Sequence, residues 1–282
     1  MRPNNAWLSV SLFCSKHYWP DLMSKGILPH LNMLYREENL QAHHIHLNYA
    51  NGENIRLPLL VSYNETTWVA RQTDDFFKSY FSKAPVHENK TEVPRNKLFM
   101  NFASNTIQYG LYSMKTRHAF YDDTDFQQTL SDIIIEALAN DMINDAVILR
   151  LSFFLYLTLL QITTQNTNVA FDRLLTIPFY FPYDDRKAPD LGLFAQLFDE
   201  NKEAMFNISY DITRKSEGLP PWVRQWAAVC KTKMKKSILN NYHKTEGKQA
   251  YDEIAYYIDQ QVGINESMKF LLFKFIRKVN TV

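Results

Sequence analysis

Glycine and cysteine are both scarce in this sequence of 282 residues. There are seven glycines, and they form neither a GxGxxG nor a GxxxxGK pattern. This scarcity argues against a nucleotide-binding fold that cradles phosphate in a glycine-rich loop. The two cysteines, Cys14 and Cys230, stand far apart, without a CxxC pair or metal-ligand spacing. Their isolation argues against a disulfide scaffold and against a zinc ribbon.

The sequence also lacks excess charge of either sign and a long uninterrupted apolar run. Its 31 basic and 30 acidic residues leave a net charge of +1, so nothing draws it generally to nucleic acid or to a membrane surface. The amino-terminal MRPNNAWLSVSLFC has no signal-peptide core or cleavage site. The most apolar segment, 146–162, carries Arg150 and predicts a buried helix rather than a membrane span. We therefore expect a cytoplasmic protein with no direct nucleic-acid or membrane partner.

Hydrophobic residues are plentiful, at 46% of the chain, and can build a sizeable core. Residues 7–14 alternate as a strand does, and 20–37 have helical spacing that Gly26 and Pro29 predict to be broken. With the hairpin that follows, this gives a β-α-β-β start. Residues 64–83 predict a helix and 98–114 extended structure, and further helices are predicted at 125–143, 145–163, 190–205, 220–243, 249–262 and 265–279. The predicted fold is therefore α+β. We expect one unit over 1–282, with a mainly antiparallel sheet in 1–120 and a helical part in 121–282.

The hairpin at 44–60, HIHLNYANGENIRLPLL, alternates polar and apolar residues on both sides of Gly52. A two-residue Asn51-Gly52 turn would mix polar and apolar side chains on each face. A three-residue Ala50-Asn51-Gly52 loop instead pairs Asn48 with Asn54 and His46 with Arg56, which separates the two faces. It also places Gly52 where a bulged hairpin favours a left-handed residue. We therefore predict the three-residue loop.

The polar face of this predicted hairpin carries His44, His46, Asn48, Asn54 and Arg56. Three interpretations are open from these residues alone. The face could simply be solvated, or the histidines could bind a metal, although no carboxylate or cysteine with ligand spacing accompanies them. Alternatively, an arginine flanked by amides suits recognition of an anionic or peptide ligand.

One known family shares the order of these motifs. The chain has W-L-x-V-x-L-F, a helix ending in I-L-P-H-L-N-M-L, and then H-L-N-Y-A-N-G-E-N-I-R-L-P-L. This arrangement resembles the small C-terminal elimination domain of lantibiotic dehydratases, which also occurs as stand-alone proteins of thiopeptide-type bacteriocin biosynthesis. The family pattern continues with E-x-x-R-Y-G-G in a second extended segment and H-M-x-x-N-R on a late helix. The resemblance covers essentially the whole chain in order, and its first block is the specific one.

Several family positions are substituted here. In the hairpin Arg56 matches, whereas Asn48, Asn54 and Pro58 stand where the family has arginine, histidine and arginine. In the second segment, NTIQYGLY, Gln108 replaces the arginine and Tyr109 matches.

On the late helix, EIAYYIDQQVG, Tyr256 falls at the family's histidine. Gln260 and Gln261 fall where the family has asparagine and arginine.

The resemblance implies action on a ribosomally made precursor peptide whose Ser or Thr carries a glutamyl ester. Removing the α-proton and expelling glutamate would leave a dehydroamino acid, and cationic groups would hold the carboxylates and the developing enolate. Because most of the family arginines are replaced, two alternatives stay open. One is a ring-forming, pyridine synthase-like reaction on a dehydrated peptide, and the other is an inert module that binds the precursor for another enzyme.

The expected catalytic residues are Arg56 for the carboxylate or enolate oxygen, His46 as acid or base, and Tyr256 as proton donor. The expected substrate-binding residues are His44, Asn48, Asn54, Gln108, Tyr109 and Gln260. No cofactor or metal is expected. The expected partners are the precursor peptide and a glutamylating dehydratase subunit or another modifying enzyme.

The basic run at 231–244, KTKMKKSILNNYHK, predicts the solvated face of a helix that turns Met234 and Ile238 inward. Its alternative role is attraction of an acidic leader peptide or partner, which salt would weaken.

Overall fold

A computed structural model describes residues 4–84, 101–112, 123–139, 145–166, 202–203, 220–240, 246–264 and 266–280 of the chain. The chain divides into two compact units. The first is Met1–Val147 with Gln260–Gly263, and the second is Ile148–Asp259 with Ile264–Val282. The predicted α+β class is confirmed, because an antiparallel sheet of five strands lies in the N-terminal part and helices dominate later.

The sheet of the first unit is built around two long strands, β1 (Asn5–Phe13) and β4 (Asn54–Ser62), which pair antiparallel along their whole length. β5 (Thr106–Tyr109) pairs with the other edge of β1. β2 (Ala42–His43) and β3 (His46–Asn48) both pair with β4. The strand predicted at residues 7–14 is confirmed, because β1 covers Asn5–Phe13, with Val10 and Leu12 fully buried on one face of the sheet.

The hairpin between β3 and β4 has the predicted register. His46 lies opposite Arg56, Leu47 opposite Ile55, and Asn48 opposite Asn54. Gly52 has a φ of +114°, in the region that favours glycine, and the preceding Asn51 also has a positive φ of +61°. The strict separation of polar and apolar faces selects this register over the two-residue turn.

Helices cover the apolar face of the sheet. A helical stretch runs through the turn Lys16–Tyr18, α1 (Trp19–Asp21), the π-helical segment Leu22–Ile27 and α2 (Leu28–Arg36). The predicted break at Gly26 and Pro29 takes the form of this π segment, after which Pro29 sits in the first turn of α2, where its missing N–H has no helical acceptor to lose. α3 (Thr66–Lys83) packs on β1, β4 and β5.

The outer edge of the sheet next to β2 and β3 is closed by α4 (Thr124–Leu138). The Ile45 N–H, between these two short strands, donates to the Ser131 hydroxyl of α4 at 3.0 Å. A side chain thus satisfies a backbone donor that an edge strand would otherwise leave open.

The second unit holds α5 (Asp145–Asn166), α6 (Pro221–Asn240), α7 (Glu246–Val262) and α8 (Glu266–Asn280), with α5 beginning and α7 ending in the first unit. These bounds agree with four of the predicted helices, whereas 190–205 lies largely outside the described residues. Val147–Gln165 is apolar and long enough to cross a membrane, but 72% of its most apolar window is buried within the folded chain, as in a core helix.

The basic run lies on α6 as predicted. Met234 is fully buried, whereas Lys231, Lys235 and Lys236 are exposed. Lys233 is paired with Glu253 of α7 at 2.7 Å. The side chain of Ile238 lies outside the described residues.

Candidate functional site

Four polar side chains form one row across the sheet, on the face opposite to Val10 and Leu57. His46 of β3 lies opposite Arg56 of β4, Arg56 opposite Ser11 of β1, and Ser11 opposite Gln108 of β5. Directly paired residues of antiparallel strands project from the same face. The row therefore brings together an imidazole, a guanidinium, a hydroxyl and an amide, and we call it the polar row.

Arg56 is the cation of the polar row. It is the one lysine or arginine carried by the five strands. Its guanidinium carbon lies 4.7 Å from the centre of the Tyr112 ring, and the Tyr112 hydroxyl donates to the Val10 carbonyl at 3.2 Å. Burial lowers the pKa of Arg56, yet a guanidinium stays charged in proteins. Within the described part of the chain no carboxylate pairs with it, so its charge is available to an anionic or polarised group.

His46 is held in one tautomer by a backbone group. Its Nδ1 lies 3.1 Å from the carbonyl oxygen of Gln260. A carbonyl only accepts, so Nδ1 carries the proton and Nε2 keeps its lone pair. Nε2 is shielded from solvent and has no hydrogen-bond partner among the described residues. Burial lowers the pKa of His46 to about 4, with the charge of Arg56 acting in the same direction.

His44 lies beside His46 on the same face. Its ring centre is 4.7 Å from the Trp7 ring and 6.4 Å from the His46 ring. Burial lowers the pKa of His44 to about 3. Both histidines are therefore neutral at pH 7, because desolvation disfavours the charged imidazole. A neutral His46 can accept a proton at Nε2 but is not a general acid at this pH.

Asn48 and Asn54 stabilise the hairpin turn. The Asn54 amide nitrogen donates to the carbonyls of Ala50 at 3.1 Å and Gly52 at 2.8 Å. The Asn48 side-chain oxygen accepts from the Ala50 N–H at 2.9 Å. These contacts within the loop account for both amides as turn residues. Their predicted role in substrate binding stays a prediction.

Gln108 and Tyr109 project from opposite faces, because they are neighbours on one strand. Gln108 shares the polar row with Arg56. Tyr109 lies opposite Val10 on the apolar face, and its hydroxyl donates to the Ala70 carbonyl of α3 at 3.1 Å. The structure therefore does not bring Tyr109 together with Arg56, and this expectation is corrected by the period of two along a strand.

The two candidates on α7 fall on different sides of the division between the units. Gln260 belongs to the first unit and offers its backbone carbonyl to His46, while its side chain is exposed. Tyr256 belongs to the second unit, is 43% exposed, and has its ring 5.9 Å from that of Tyr257. Its role as proton donor stays a prediction.

Sequence reasoning missed Ser11 and Tyr112, and it named Gln261 only as the residue at a family arginine position. Ser11 had a signal, since Ser9 and Ser11 alternate with Val10 and Leu12 and would have to share a face of the sheet. Tyr112 had no comparable signal, and the contacts of both Tyr112 and Gln261 depend on chain segments that are distant in sequence.

No protein-family model matches the sequence, and no curated protein matches it. Solved structures do resemble it. "Pyridine synthase, TbtD, from thiomuracin biosynthesis" matches at 13% identity and TM-score 0.67, over 98% of this chain and 97% of that one. TsrL matches at 11% identity and TM-score 0.61, over 98% of this chain and 94% of that one.

A third match is the tRNA-dependent lantibiotic dehydratase MibB from Microbispora sp. 107891, at 9% identity and TM-score 0.50. It covers 99% of this chain and 28% of the dehydratase. At these identities the likeness concerns the fold. This chain therefore has the fold of TbtD and TsrL over nearly its whole length, and that fold also recurs within a lantibiotic dehydratase.

Proposed function

We propose that this protein modifies a ribosomally made precursor peptide, and that the reacting peptide group binds over the polar row. The observation that carries the proposal is the direct pairing of His46 with Arg56, which sets an unprotonated base beside a cation that no described carboxylate neutralises. The fold supports the same proposal, since proteins of this fold include a pyridine synthase and part of a lantibiotic dehydratase.

The chemistry of the pair is proton abstraction with stabilisation of the resulting negative charge. His46 Nε2 takes a proton from the peptide, and the bonding electrons move onto the adjacent carbonyl oxygen. Arg56 binds that oxygen as its charge develops. The Gln108 amide lies in the same row and can hold a further carbonyl or amide group of the peptide.

Of the two finer reactions, the charge of the site favours the ring-forming reaction on a dehydrated peptide. An uncharged peptide requires one cation at the polarised oxygen, and Arg56 is the one cation that the strands provide. Elimination of glutamate requires in addition a clamp for a departing group that carries carboxylates. Gln108 and Asn48, which stand at two family arginine positions, offer hydrogen bonds without charge.

Two synthetic peptides test the proposal with the purified protein. One carries two dehydroalanines, and the other carries a serine esterified with glutamate. We expect liquid chromatography with mass and absorption detection to show conversion of the first peptide to a new product and no release of glutamate from the second. Release of glutamate would instead establish elimination. Tight binding of both peptides, each recovered with unchanged mass, retention time and absorption spectrum, would overturn the enzymatic proposal in favour of an inert binding module.

A further inference from the structure

The end of α7 returns to the first unit and lies against the strand that carries His46. The last four carbonyl groups of an α-helix have no partner within the helix. Gln260, two residues before the end of α7, supplies one of these carbonyls and uses it to accept the His46 Nδ1 proton at 3.1 Å. The tautomer of His46 thus depends on where the last turn of α7 is held.

The side chain that holds this turn is Gln261. It is fully buried, although it is polar and lies near a helix end. Its Nε2 donates to the Gln127 carbonyl at 2.8 Å, and its Oε1 lies 3.0 Å from the Ser131 hydroxyl. Both partners belong to α4. Ser131 in turn accepts from the Ile45 N–H, one residue before His46.

Gly263 brings the backbone after α7 close to β3. Its φ is +68°, and a Cβ at this position would lie 2.1 Å from the Leu47 carbonyl oxygen. Leu47 follows His46 directly. The helix end is therefore fixed by two contacts directly after Gln260, the Gln261 amide against α4 and the glycine against β3.

We propose that Gln261 is a positioning residue that acts through the Gln260 carbonyl to keep the proton of His46 on Nδ1 and the lone pair on Nε2. The role of the Nε2 lone pair as a base rests on the proposed function, whereas the assignment of the tautomer does not. A buried amide with both its nitrogen and its oxygen bonded to one helix fixes direction as well as distance. The same arrangement recurs where histidine bases and ligands are oriented by a carbonyl on their second nitrogen.

The ionisable groups that face His46 are few in the described structure. Arg56 lies opposite on β4, and His44 lies 6.4 Å away between ring centres. From α7 the facing group is the uncharged Gln260 carbonyl, and α4 contributes the uncharged Ser131 hydroxyl, which accepts from the Ile45 N–H beside His46. Neither the cation nor the second imidazole accepts the Nδ1 proton, so the carbonyl alone selects the tautomer.

The test is imidazole ¹⁵N NMR of the unaltered full-length protein, followed by the Gln261→Met variant. The unaltered protein should show His46 protonated at Nδ1. In Gln261→Met, which keeps the length of the side chain but removes both hydrogen bonds, we expect a mixture of the two tautomers. Gln72→Met on α3 is the matched control and should leave the His46 signals unchanged.

The rate at which the protein converts the peptide with two dehydroalanines gives the second measurement. Gln261→Met should lower kcat at least tenfold, with KM little changed, because a general base contributes about 10²–10⁴ and only its positioning is lost. An Nε2-protonated His46 in the unaltered protein would overturn the inference before any substitution is made, so the test does not depend on the variant folding. An unchanged tautomer in a folded Gln261→Met would overturn it too. The tautomer is measured without substrate. A failure of the peptide assays, which would count against the proposed function, can therefore be told apart from a failure of this inference.

Discussion

At the scale of single residues, the site depends on one guanidinium and one neutral imidazole. Replacing Arg56 by alanine removes the charge and the contact with the Tyr112 ring. Loss of one such preorganised donor costs about two to three orders of magnitude in rate, so we expect peptide conversion to fall by about that factor. Initial rates from mass spectrometry measure it. Arg71→Ala, on the exposed side of α3, should keep full activity, and equal losses in both variants would remove Arg56 from the mechanism.

Three histidines with a lowered pKa lead to a prediction about how the stability of the protein depends on pH. The pKa values of His30 and His46 are lowered to about 4 and that of His44 to about 3, chiefly by burial. The unfolded chain, with histidine pKa near 6.5, then binds more protons than the folded chain below pH 6.5. Stability is therefore fully present above about pH 6.5 and is lost as the pH falls toward 4.

Melting curves by circular dichroism at a series of pH values measure this loss. His30→Gln, which keeps a nitrogen near Thr73, should reduce the fall in melting temperature between pH 6.5 and 4.5. The exposed His17→Gln is the control and should reproduce the fall of the unaltered protein. A melting temperature independent of pH over this range would contradict the neutral, buried state of these rings.

At the scale of elements, the end of α7 contacts the strand that carries His46 of the polar row. Gly263 and Gly110 have nearly the same positive φ, +68° and +70°, but a Cβ at Gly110 would meet no atom within 4 Å. Gly110→Ala should therefore show the cost of the left-handed backbone alone, about 1–2 kcal/mol. Gly263→Ala should cost clearly more, because its Cβ would clash with the Leu47 carbonyl.

Urea denaturation of the two glycine variants separates the cost of the left-handed backbone from the cost of a steric clash with the Leu47 carbonyl. A larger loss of unfolding free energy in Gly263→Ala, together with a disturbed His46 signal, is the expected result. Equal losses in the two variants would mean that the close approach of Gly263 to β3 does not exist in solution.

At the scale of the whole molecule, the first unit is discontinuous in sequence. It takes Gln260–Gly263 from the end of the chain, and with them the contacts that Gln261 makes to Gln127 and Ser131. A fragment of residues 1–147 lacks these contacts, and the buried Ser131 then loses a polar partner. We expect the fragment to melt at a lower temperature and less cooperatively than the full chain.

Thermal unfolding followed by circular dichroism compares this fragment with the full chain and with full-length Gln261→Met. The variant should fall between the other two, because it loses the amide contacts but keeps the glycine against β3. A fragment as stable as the full chain would show that the C-terminal turn adds nothing to the first unit.

The sequence alone determined the local features of this protein. Strict alternation set the β3–β4 register and the pairing of His46 with Arg56, since a shift by one residue would reverse both faces. Helical spacing located the helices at Thr66–Lys83, Thr124–Leu138 and the later segments, and the apolar run of α5 was correctly expected to be buried. These features follow from periods of 2 and 3.6 residues, which a short window of sequence contains.

Only the tertiary structure decided which of the candidate residues meet. The strand order placed Ser11 and Gln108 in the row of Arg56 and turned Tyr109 to the other face. Burial, which depends on the assembled layers, made both histidines neutral. The Gln260 carbonyl reached His46 from 214 residues away. No local pattern encodes such a contact, because its energy depends on the packing that brings the two segments together.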